Sequence, residues 1–281
     1  MQDCDSAVAT SPPDLHEPSR RVTAAAARQF VVEWARGESD VREAQRLRYR
    51  IFSQEMGARL SPPAGSPPGL DIDRFDPFCE HLLVRAIDPE AGGRGAVVGT
   101  YRVLSPSQAR KAGGYYSDAE FDLGPLAALR PRAVELGRSC VDSGWRLGGV
   151  IMAMWSALGA YMVRHDLDTM IGCASIGLAE GALPALALWE GLRHTHLAAA
   201  RWRVQPRCAL PGASLGAPAT SPAVAHALRD APPLIKGYLR CGARVLGPPA
   251  LDAAFNTADL PMMLRLEDMA PRYRKHFLDA A

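Results

Sequence analysis

Hydrophobic and polar residues follow strand-like and helix-like periodicities along the chain, and these patterns predict a mixture of both elements. Apolar or alternating runs of strand length predict strands at FVVEWA (30–35), HLLVRAI (81–87), AVVGTYRVL (96–104), AVELGRSCVD (133–142), DTMIGCAS (168–175) and PMMLRL (261–266). The second and third runs flank the turn Ala-Gly-Gly-Arg-Gly, so we expect them to form a hairpin.

Helical spacing of apolar residues predicts an amphipathic helix over residues 41–55, where apolar positions recur every three or four residues. Further helices are predicted over 147–163, 183–192 and 272–278. Proline and glycine clusters predict a loop over 57–70, irregular chain with a short helix over 105–130, and a long connection over 204–233. This order of elements predicts an α+β fold with one mixed central sheet flanked by helices. A doubly wound sheet is disfavoured, because no Gly-x-Gly-x-x-Gly follows the first strand.

The segment 147–163 is apolar enough to require comparison with a membrane span. It has about 17 residues, whereas a span normally needs about 20. Arg146 precedes it, Arg164 and Asp166 follow, and strand-like sequence lies close on either side. We therefore predict a buried helix packed against the sheet.

Composition indicates one globular domain over residues 23–281, with a basic C-terminal extension from about residue 204. Of the 281 residues, 48% are hydrophobic and 22% charged, which is ordinary globular usage. Residues 1–22 are polar and proline-rich, which predicts a disordered tail, and they lack the apolar core of a secretory signal. We expect a cytosolic protein. The six cysteines form no Cys-x-x-Cys pair, which predicts buried free thiols and neither a metal site nor a disulfide framework.

The charge is unevenly spread, although the formal net charge is only +2. Residues 201–281 contain 11 Lys and Arg against 6 Asp and Glu, a net of +5, which leaves −3 for residues 1–200. This basic third of the chain could attract an acidic macromolecule. Nucleic acid is disfavoured as that partner, because no run of Lys and Arg and no binding motif accompanies the excess.

Three clusters of residues could carry chemistry, and the first is an acidic turn at Asp71, Asp73 and Asp76. Carboxylates this crowded repel each other unless a metal ion, an ammonium group or arginines neutralise them. The alternative is a solvated acidic turn without function. A calcium loop is disfavoured, because the glycine turn and the distal glutamate are missing.

The second cluster is Glu135-Leu136-Gly137-Arg138, inside an otherwise apolar strand. A bulge at Gly137 could bring Glu135 and Arg138 to the same side of the sheet. Charges in so apolar a strand are either paired or functional, because unpaired burial is costly. A structural salt bridge between the two therefore remains the alternative to an active-site pair.

The third cluster is Arg146-Leu147-Gly148-Gly149, directly before the predicted buried helix. Free N–H groups at a helix N-terminus, together with an arginine, favour binding of an anion such as a phosphate. The alternative is that the glycines only end a turn.

In chain order these motifs resemble the branch of GNAT proteins that use acyl carrier protein, which includes acyl-homoserine lactone synthases. The resemblance rests on Leu47-Arg48-Tyr49-Arg50-Ile51-Phe52, Asp73-Arg74-Phe75-Asp76, Arg102, and Glu135 to Arg138. Within that group the sequence resembles the L-ornithine N-alpha-acyltransferases more closely, over about residues 41–281. The carrying segments are DIDRFDPFCEHLLV, VELGRSCVDSGWRLGGVIMAMWSALGAYM, IGCAS, LIKGYLRCGARVLGPPALDAAFNTADLPMMLRL and RYRKHF.

The resemblance implies a GNAT fold and transfer of a (3-hydroxy) fatty acyl group from acyl carrier protein to the α-amine of L-ornithine, which gives lyso-ornithine lipid. It implies Glu135 as general base, with Arg138 keeping the base and the acidic turn in register. The implied substrate-binding residues are Arg48, Asp73, Asp76 and Arg102, and the implied phosphopantetheine site is Arg146, Gly148 and Gly149. The phosphopantetheine arrives with the co-substrate, so no separate cofactor and no metal is expected.

Three alternatives stay open at this point. One is an acyl-homoserine lactone synthase or another amino-acid N-acyltransferase, although the former are shorter and lack the basic C-terminal extension. Another is a GNAT-shaped binding module without catalysis. The third is a membrane-surface protein, which the apolar C-terminal strand and the basic tail favour, although peripheral contact with the inner membrane face is also compatible with the enzyme.

Overall fold

The computed structural model describes residues 29–90, 92–146, 149–213 and 229–278. The predicted disordered tail at 1–22 lies outside these residues. The strands are β1 (Phe30–Trp34), β2 (Glu80–Ala86), β3 (Val97–Leu104), β4 (Phe121–Asp122), β5 (Ala133–Val141), β6 (Thr169–Gly177), β7 (Gln205–Pro206), β8 (Arg244–Val245), β9 (Ala250–Asp252) and β10 (Thr257–Arg265). The α-helices are α1 (Glu38–Arg48), α2 (Pro106–Ala112), α3 (Val150–Arg164), α4 (Leu183–Thr195), α5 (Pro233–Cys241) and α6 (Pro271–Leu278).

Eight strands form one mixed sheet in the order β1-β2-β3-β5-β6-β10-β8, with β9 also pairing with β10. Neighbouring strands are antiparallel except β5 and β6, which are parallel. The strands β4 and β7 form a separate two-stranded sheet. The predicted α+β class with one mixed central sheet is confirmed.

Helices cover both faces of this sheet, and the strand pattern shows why. In β2 the buried residues Leu82 and Val84 face the core under α3, whereas Leu83 between them faces the core under α1. Successive side chains of a strand point to opposite faces, so a continuous apolar run can fill two cores at once. The predicted buried helix is α3, which is 15 residues long. No helix within the described residues is long and apolar enough to cross a membrane.

The parallel pair β5 and β6 parts after a short contact. Register pairs join Ala133–Glu135 only to Thr169–Ile171, although both strands continue for six further residues. At the point of parting, Gly172 lies so close to β5 that an added Cβ would stand 2.3 Å from the carbonyl oxygen of Leu136. A glycine is therefore needed there for the two strands to approach before they separate. The gap between the strands is the place in the sheet where a ligand can enter.

Several boundaries differ from the sequence predictions. The helix predicted over 41–55 is continuous, but its second half, Tyr49–Glu55, is a π-helix that follows α1. The helix α5 was missed, and β10 begins at Thr257 rather than at Pro261. All five described cysteines are free, and Cys140 and Cys241 are buried as predicted. Cys208 is exposed, so the prediction of a buried thiol is wrong there.

Candidate active site

A polar cleft of about 250 Å³ opens where β5 and β6 part. Arg102 of β3 and Glu135, Gly137 and Arg138 of β5 line it, so the second predicted cluster lies in one cavity with the predicted strand arginine. Phe52 of the π-helix lines the same cleft. π-helical turns occur frequently at functional sites, and this one follows directly after Arg48.

Arg48 is fully buried and holds the acidic turn against α1. Its Nε donates to Asp71 Oδ2 at 2.8 Å, and its Nη2 donates to Asp76 Oδ1 at 2.9 Å and to the Asp71 carbonyl oxygen at 2.5 Å. His81 lies on the other side, with Nδ1 at 3.5 Å from Arg48 Nη1. Burial, together with the charge of Arg48, lowers the pKa of His81 to about 4, so this imidazole is neutral near pH 7.

Two further arginines complete the neutralisation of the acidic turn. Arg102 Nη1 donates to Asp73 Oδ2 at 2.6 Å and to Asp76 Oδ1 at 3.5 Å. Arg138 lies 3.3 Å from both Asp71 and Asp73. Burial alone would raise the pKa of Asp73, but the two guanidinium groups beside it hold that pKa below its usual value.

The turn is therefore a charge-balanced cluster of three carboxylates and three arginines. Asp71 and Asp76 are 2% and 6% exposed, so the interpretation of a solvated acidic turn is wrong. Of the two roles considered for Asp73 and Asp76, pairing with arginines is the one that the geometry supports. Arginines already neutralise these carboxylates, so a substrate ammonium group would gain little by binding to them.

The predicted strand bulge is present, one residue further along than expected. Thr100 of β3 stands opposite Cys140 and Arg102 stands opposite Gly137, so Arg138 and Ser139 together face the single residue Tyr101. Arg138 has a φ of 49°, a left-handed conformation that is uncommon for a residue with a side chain. Its guanidinium lies over the rings of Phe255 (4.5 Å) and Tyr116 (5.0 Å), which hold it at the cleft.

Glu135 is 4% exposed, and both of its carboxylate oxygens accept hydrogen bonds. Oε2 accepts from the backbone N–H of Tyr116 at 2.6 Å. Oε1 accepts from the backbone N–H of Ser117 at 2.8 Å and from its hydroxyl at 2.5 Å. Burial raises the pKa of Glu135 above its usual value, and the hydrogen bonds from Ser117 and Tyr116 oppose that rise. Because a carboxylate offers about four acceptor positions, one remains for a substrate proton.

Glu135 and Arg138 do not form the structural salt bridge that was the alternative for this cluster. Both line the cleft, but Glu135 is held by the segment at Tyr116 and Ser117, while Arg138 pairs with Asp71 and Asp73. Arg138 thus contacts the acidic turn as expected. Its Nε is buried and lies 3.3 Å from Asp71 Oδ2, so this donor faces the acidic turn.

The predicted phosphopantetheine residues are only partly described. Gly148 lies outside the described residues, and Gly149, with a φ of 75°, is the N-cap of α3. Arg146 forms an ion pair with Glu55 at 2.6 Å and donates from Nε to the Val141 carbonyl oxygen at 3.1 Å. An anion at this helix terminus would therefore compete with Glu55 for Arg146.

An apolar cavity of about 80 Å³ adjoins the polar cleft deeper in the gap. The two share Tyr101, Leu136, Cys173, Ala174 and Tyr238 as lining residues, so they lie side by side. At this boundary the hydroxyls of Tyr101 and Tyr238 hydrogen-bond to each other, and Trp155 stacks on Tyr238 with ring centroids 5.3 Å apart. Beyond it the lining is apolar, with Met170, Met262, Leu264 and Phe277 among the residues. This arrangement suits a ligand with a polar head and a hydrocarbon chain.

Sequence reasoning missed a second group of acids at the cleft. Asp252 and Asp259 line the polar cleft, and Glu120 lines the wider opening that continues it toward solvent. Glu120 lies in a segment predicted to be irregular, and Asp259 is a lone acid in an apolar strand. The sequence offered one signal, which was the carboxylate of Asp259 within the apolar strand TADLPMMLR. No charged residue adjoins Asp259 in the sequence, so nothing there indicated a cluster.

Solved structures confirm the fold that these elements form. The AHL synthase LasI has a TM-score of 0.50 at 14% identity, covering 89% of this chain and 95% of LasI. FeeM, an N-acyl amino acid synthase from uncultured soil microbes, has a TM-score of 0.52 at 10% identity, covering 88% of this chain and 97% of FeeM. At these identities the likeness concerns the fold alone.

A family profile described as acetyltransferase (GNAT) domain matches residues 47–156, from the end of α1 to the middle of α3. The chain is an acyltransferase of the GNAT fold. Among its relatives, the L-ornithine N(alpha)-acyltransferase of Agrobacterium fabrum is 38% identical over 245 residues, covering 86% of this chain and 83% of the relative. The enzymes of the same name from Brucella abortus and Rhodobacter capsulatus are 38% and 35% identical, covering 88% and 90% of this chain and 88% and 96% of the relatives. The chain belongs to the L-ornithine N(alpha)-acyltransferase family. Because this family consists of enzymes, the alternative of a non-catalytic binding module is set aside.

Proposed function

We propose that this chain transfers a (3-hydroxy) fatty acyl group from acyl carrier protein to the α-amine of L-ornithine, which yields lyso-ornithine lipid. Four relatives named L-ornithine N(alpha)-acyltransferase are 35–38% identical to this chain and match 86–90% of it. The structural observation that carries the proposal is the apolar cavity that lies directly beside the polar cleft. The polar cleft has room for an amino acid, and the neighbouring cavity offers an apolar surface to the acyl chain.

The reaction forms a C–N bond and breaks the thioester C–S bond. The bound amino acid arrives as an ammonium ion, so one proton must leave before its nitrogen can attack the carbonyl carbon. In the proposal Glu135 accepts that proton, directly or through water, at the acceptor position that its three hydrogen bonds leave open. The amine loses a second proton as the amide forms, and the departing thiolate ends as the thiol of phosphopantetheine.

The unpaired edge of β5 supports the proposed position of the thioester. Beyond Glu135 no described strand pairs with β5 on the side of β6. Backbone groups on that edge are therefore free of strand hydrogen bonds, and we assign to an N–H near Cys140 or Val141 the stabilisation of the developing oxyanion. The phosphopantetheine would extend toward the N-terminus of α3, where its phosphate would meet Gly148, Gly149 and Arg146 in place of Glu55.

A lyso-lipid product also has a consequence for location. A molecule with one acyl chain partitions into membranes only weakly and reversibly, so transient contact of the enzyme with a membrane surface would help its release. We include peripheral membrane contact in the proposal for this reason.

Incubation with defined donors and acceptors tests the proposal. Purified protein is mixed with 3-hydroxyacyl carrier protein or the matching acyl-coenzyme A, and with one amino acid at a time, and the products are analysed by mass spectrometry. We expect an N-acylated product with L-ornithine and the carrier-bound donor, and fragmentation should place the acyl group on the α-nitrogen. Transfer to another amino acid but not to ornithine would overturn the assigned acceptor. Equal use of acyl-coenzyme A would overturn the assigned donor.

A further inference from the structure

Three carboxylates at the cleft have no basic partner among the described residues. Each aspartate of the acidic turn forms ion pairs with arginine, but no described Lys, Arg or His lies within ion-pair distance of Glu120, Asp252 or Asp259. Asp252 accepts hydrogen bonds from two backbone N–H groups of its own loop, at 2.8 and 3.0 Å. Glu120 and Asp259 are the more deeply placed pair.

The carboxylates of Glu120 and Asp259 lie close to each other and to the thiol of Cys173. One ligand atom of each residue lies within 4.8 Å of those of the other two. Asp259 is 4% exposed and accepts a hydrogen bond from the Thr257 hydroxyl at 2.8 Å. Glu120 Oε2 accepts from Cys173 Sγ at 3.3 Å, but Glu120 Oε1 is shielded from solvent and has no hydrogen-bond donor among the described residues. A buried acceptor without a donor is costly, and a cationic donor would relieve that cost.

The titration of the pair favours a cation as its ligand. Burial, and then the charge of Asp259, raises the pKa of Glu120 to about 8, and burial also raises the pKa of Asp259. Ionisation of one carboxyl group disfavours ionisation of the other at this distance, so the pair retains a proton near neutral pH. A bound cation would replace that proton.

The structure assigns to Glu120 and Asp259 the recognition of the side-chain ammonium of a diamino acid, with Asp252 at the entrance of the cleft. The inference rests on the proposed function, because acylation at the α-nitrogen leaves the side-chain nitrogen positively charged throughout. That charge needs a counter-charge, and the carboxylates of the acidic turn are already paired with arginines.

An ammonium group suits this pair better than a metal ion does. It has three N–H donors and can use both Glu120 Oε1 and an oxygen of Asp259. A metal ion would need the third ligand, Cys173, as a thiolate, but burial raises the pKa of this thiol well above its usual value. An acceptor with a neutral side chain would leave the buried carboxylates unmatched, and such a mismatch is a strong source of discrimination.

The experiment compares L-ornithine with L-norvaline, which has the same carbon chain without the terminal amine. KM and kcat for both are measured at saturating acyl donor in wild-type protein, Glu120→Gln, Asp259→Asn and Glu38→Gln, where Glu38 is an exposed acid on α1. Both cleft variants should raise KM for ornithine about tenfold or more, leave kcat/KM for norvaline within about twofold, and thereby lose the preference between the two. Calorimetric titration of ornithine without acyl donor should show the same loss of affinity. Glu38→Gln should behave as wild type.

The outcomes separate this inference from the proposed function. Ornithine turnover by wild-type protein, with unchanged ornithine KM in both cleft variants, would overturn the ammonium site and leave the proposed function intact. Absence of transfer to ornithine by wild-type protein would overturn the proposed function, while the titration would still test the site. A lower melting temperature in both cleft variants, with equal losses for ornithine and norvaline, would indicate a structural role and overturn the inference. Stabilisation of wild-type protein by Zn²⁺ but not of Glu120→Gln, with ornithine binding lost in EDTA, would overturn it in favour of a metal site.

Discussion

Ser117 donates two hydrogen bonds to one oxygen of Glu135, from its backbone N–H at 2.8 Å and from its hydroxyl at 2.5 Å. The short 3₁₀ helix Tyr116–Ala119 presents these groups to β5, and its first residue donates a backbone N–H to the other oxygen. Hydrogen bonds of this kind favour the charged carboxylate, whereas burial favours the protonated form. Ser117 therefore limits how far burial raises the pKa of the proposed base.

Removal of the Ser117 hydroxyl should shift the pH dependence of the reaction. In Ser117→Ala one bond that favours the carboxylate is lost, so the pKa of Glu135 should rise further. A protonated Glu135 cannot accept a proton, and the acid limb of kcat/KM should therefore move to higher pH. The measurement is a pH profile of the wild type, of Ser117→Ala and of Ser107→Ala, which changes an exposed serine on α2. An unmoved acid limb in Ser117→Ala would show that Glu135 does not control it.

Replacement of Glu135 tests its role directly. Glu135→Gln should lower turnover by about 10²–10⁴, the usual range for losing general-base assistance. It should also lower the melting temperature, because an amide N–H₂ cannot accept from the N–H groups of Tyr116 and Ser117. Activity per folded molecule, measured well below the transition, separates the two effects. Retained turnover with an unchanged pH profile would remove Glu135 from the mechanism.

The acidic turn should contribute strongly to stability. In Asp76→Asn the fully buried Arg48 keeps Asp71 but loses one of its two carboxylate partners, so the cluster has one uncompensated positive charge, and breaking such a buried pair typically costs about 3–5 kcal/mol. The free energy of unfolding from urea titration should fall by that order, whereas Glu38→Gln should stay close to wild type because its ion pair with Arg42 is exposed. A stability for Asp76→Asn equal to that of Glu38→Gln would contradict the neutralisation of this cluster by buried arginines.

The sequence predicted the contacts of the motifs better than their exact geometry. We expected one cluster to contain Arg48, Asp73, Asp76 and Arg102. Burial of an unpaired charge costs free energy, so opposite charges in buried segments are expected to pair. The position of the bulge could not be derived from β5 alone, because it depends on how β3 pairs on either side of Tyr101.

Two features had no usable sequence signal. The helix α5 begins at Pro233 and contains Gly237, and an interior glycine weakens a helical pattern. The glycine is explained only by the fold, since an added Cβ would lie 2.4 Å from the ring of Trp155. Glu120 and Asp259 are far apart in the chain and each stands alone in its segment, so only the tertiary structure brings them together.

The raised pKa of Glu120 predicts a pH dependence of stability. Its pKa is about 8 in the folded protein against 4.5 for an unperturbed carboxyl, so the folded state holds a proton between these values that the unfolded state has lost. The stabilisation that this proton provides is fully present below about pH 4.5 and is lost as the pH rises through about 8. The free energy of unfolding should decline over that window in the wild type, and the decline should be smaller in Glu120→Gln. Parallel pH profiles for the two proteins would contradict the shift.

Basic residues on α5 and directly after it lie near the cleft and could bind an acidic acyl donor. Lys236 and Arg240 stand one turn apart on α5, Arg240 is exposed, and Arg244 is exposed at the start of β8. Leu234 and Tyr238 of the same helix line the cleft, so a partner bound on α5 would be close to the thioester site. Acyl carrier proteins are small and strongly acidic, and complementary charge mainly raises the rate of association.

Reversal of two of these charges should therefore impair the carrier-bound donor selectively. Lys236→Glu with Arg240→Glu should raise KM for acyl carrier protein about tenfold, while a small thioester analogue with the same acyl chain should keep its KM. Salt screens exposed charges over about 8–10 Å near physiological ionic strength, so added salt should reproduce the selective loss in wild-type protein. The matched control is Arg42→Glu with Arg46→Glu, which reverses two charges on α1, and it should leave both donors unaffected. If acyl-coenzyme A serves equally well and salt slows both donors alike, the carrier-protein assignment is wrong, and an acyl-coenzyme A transferase takes its place.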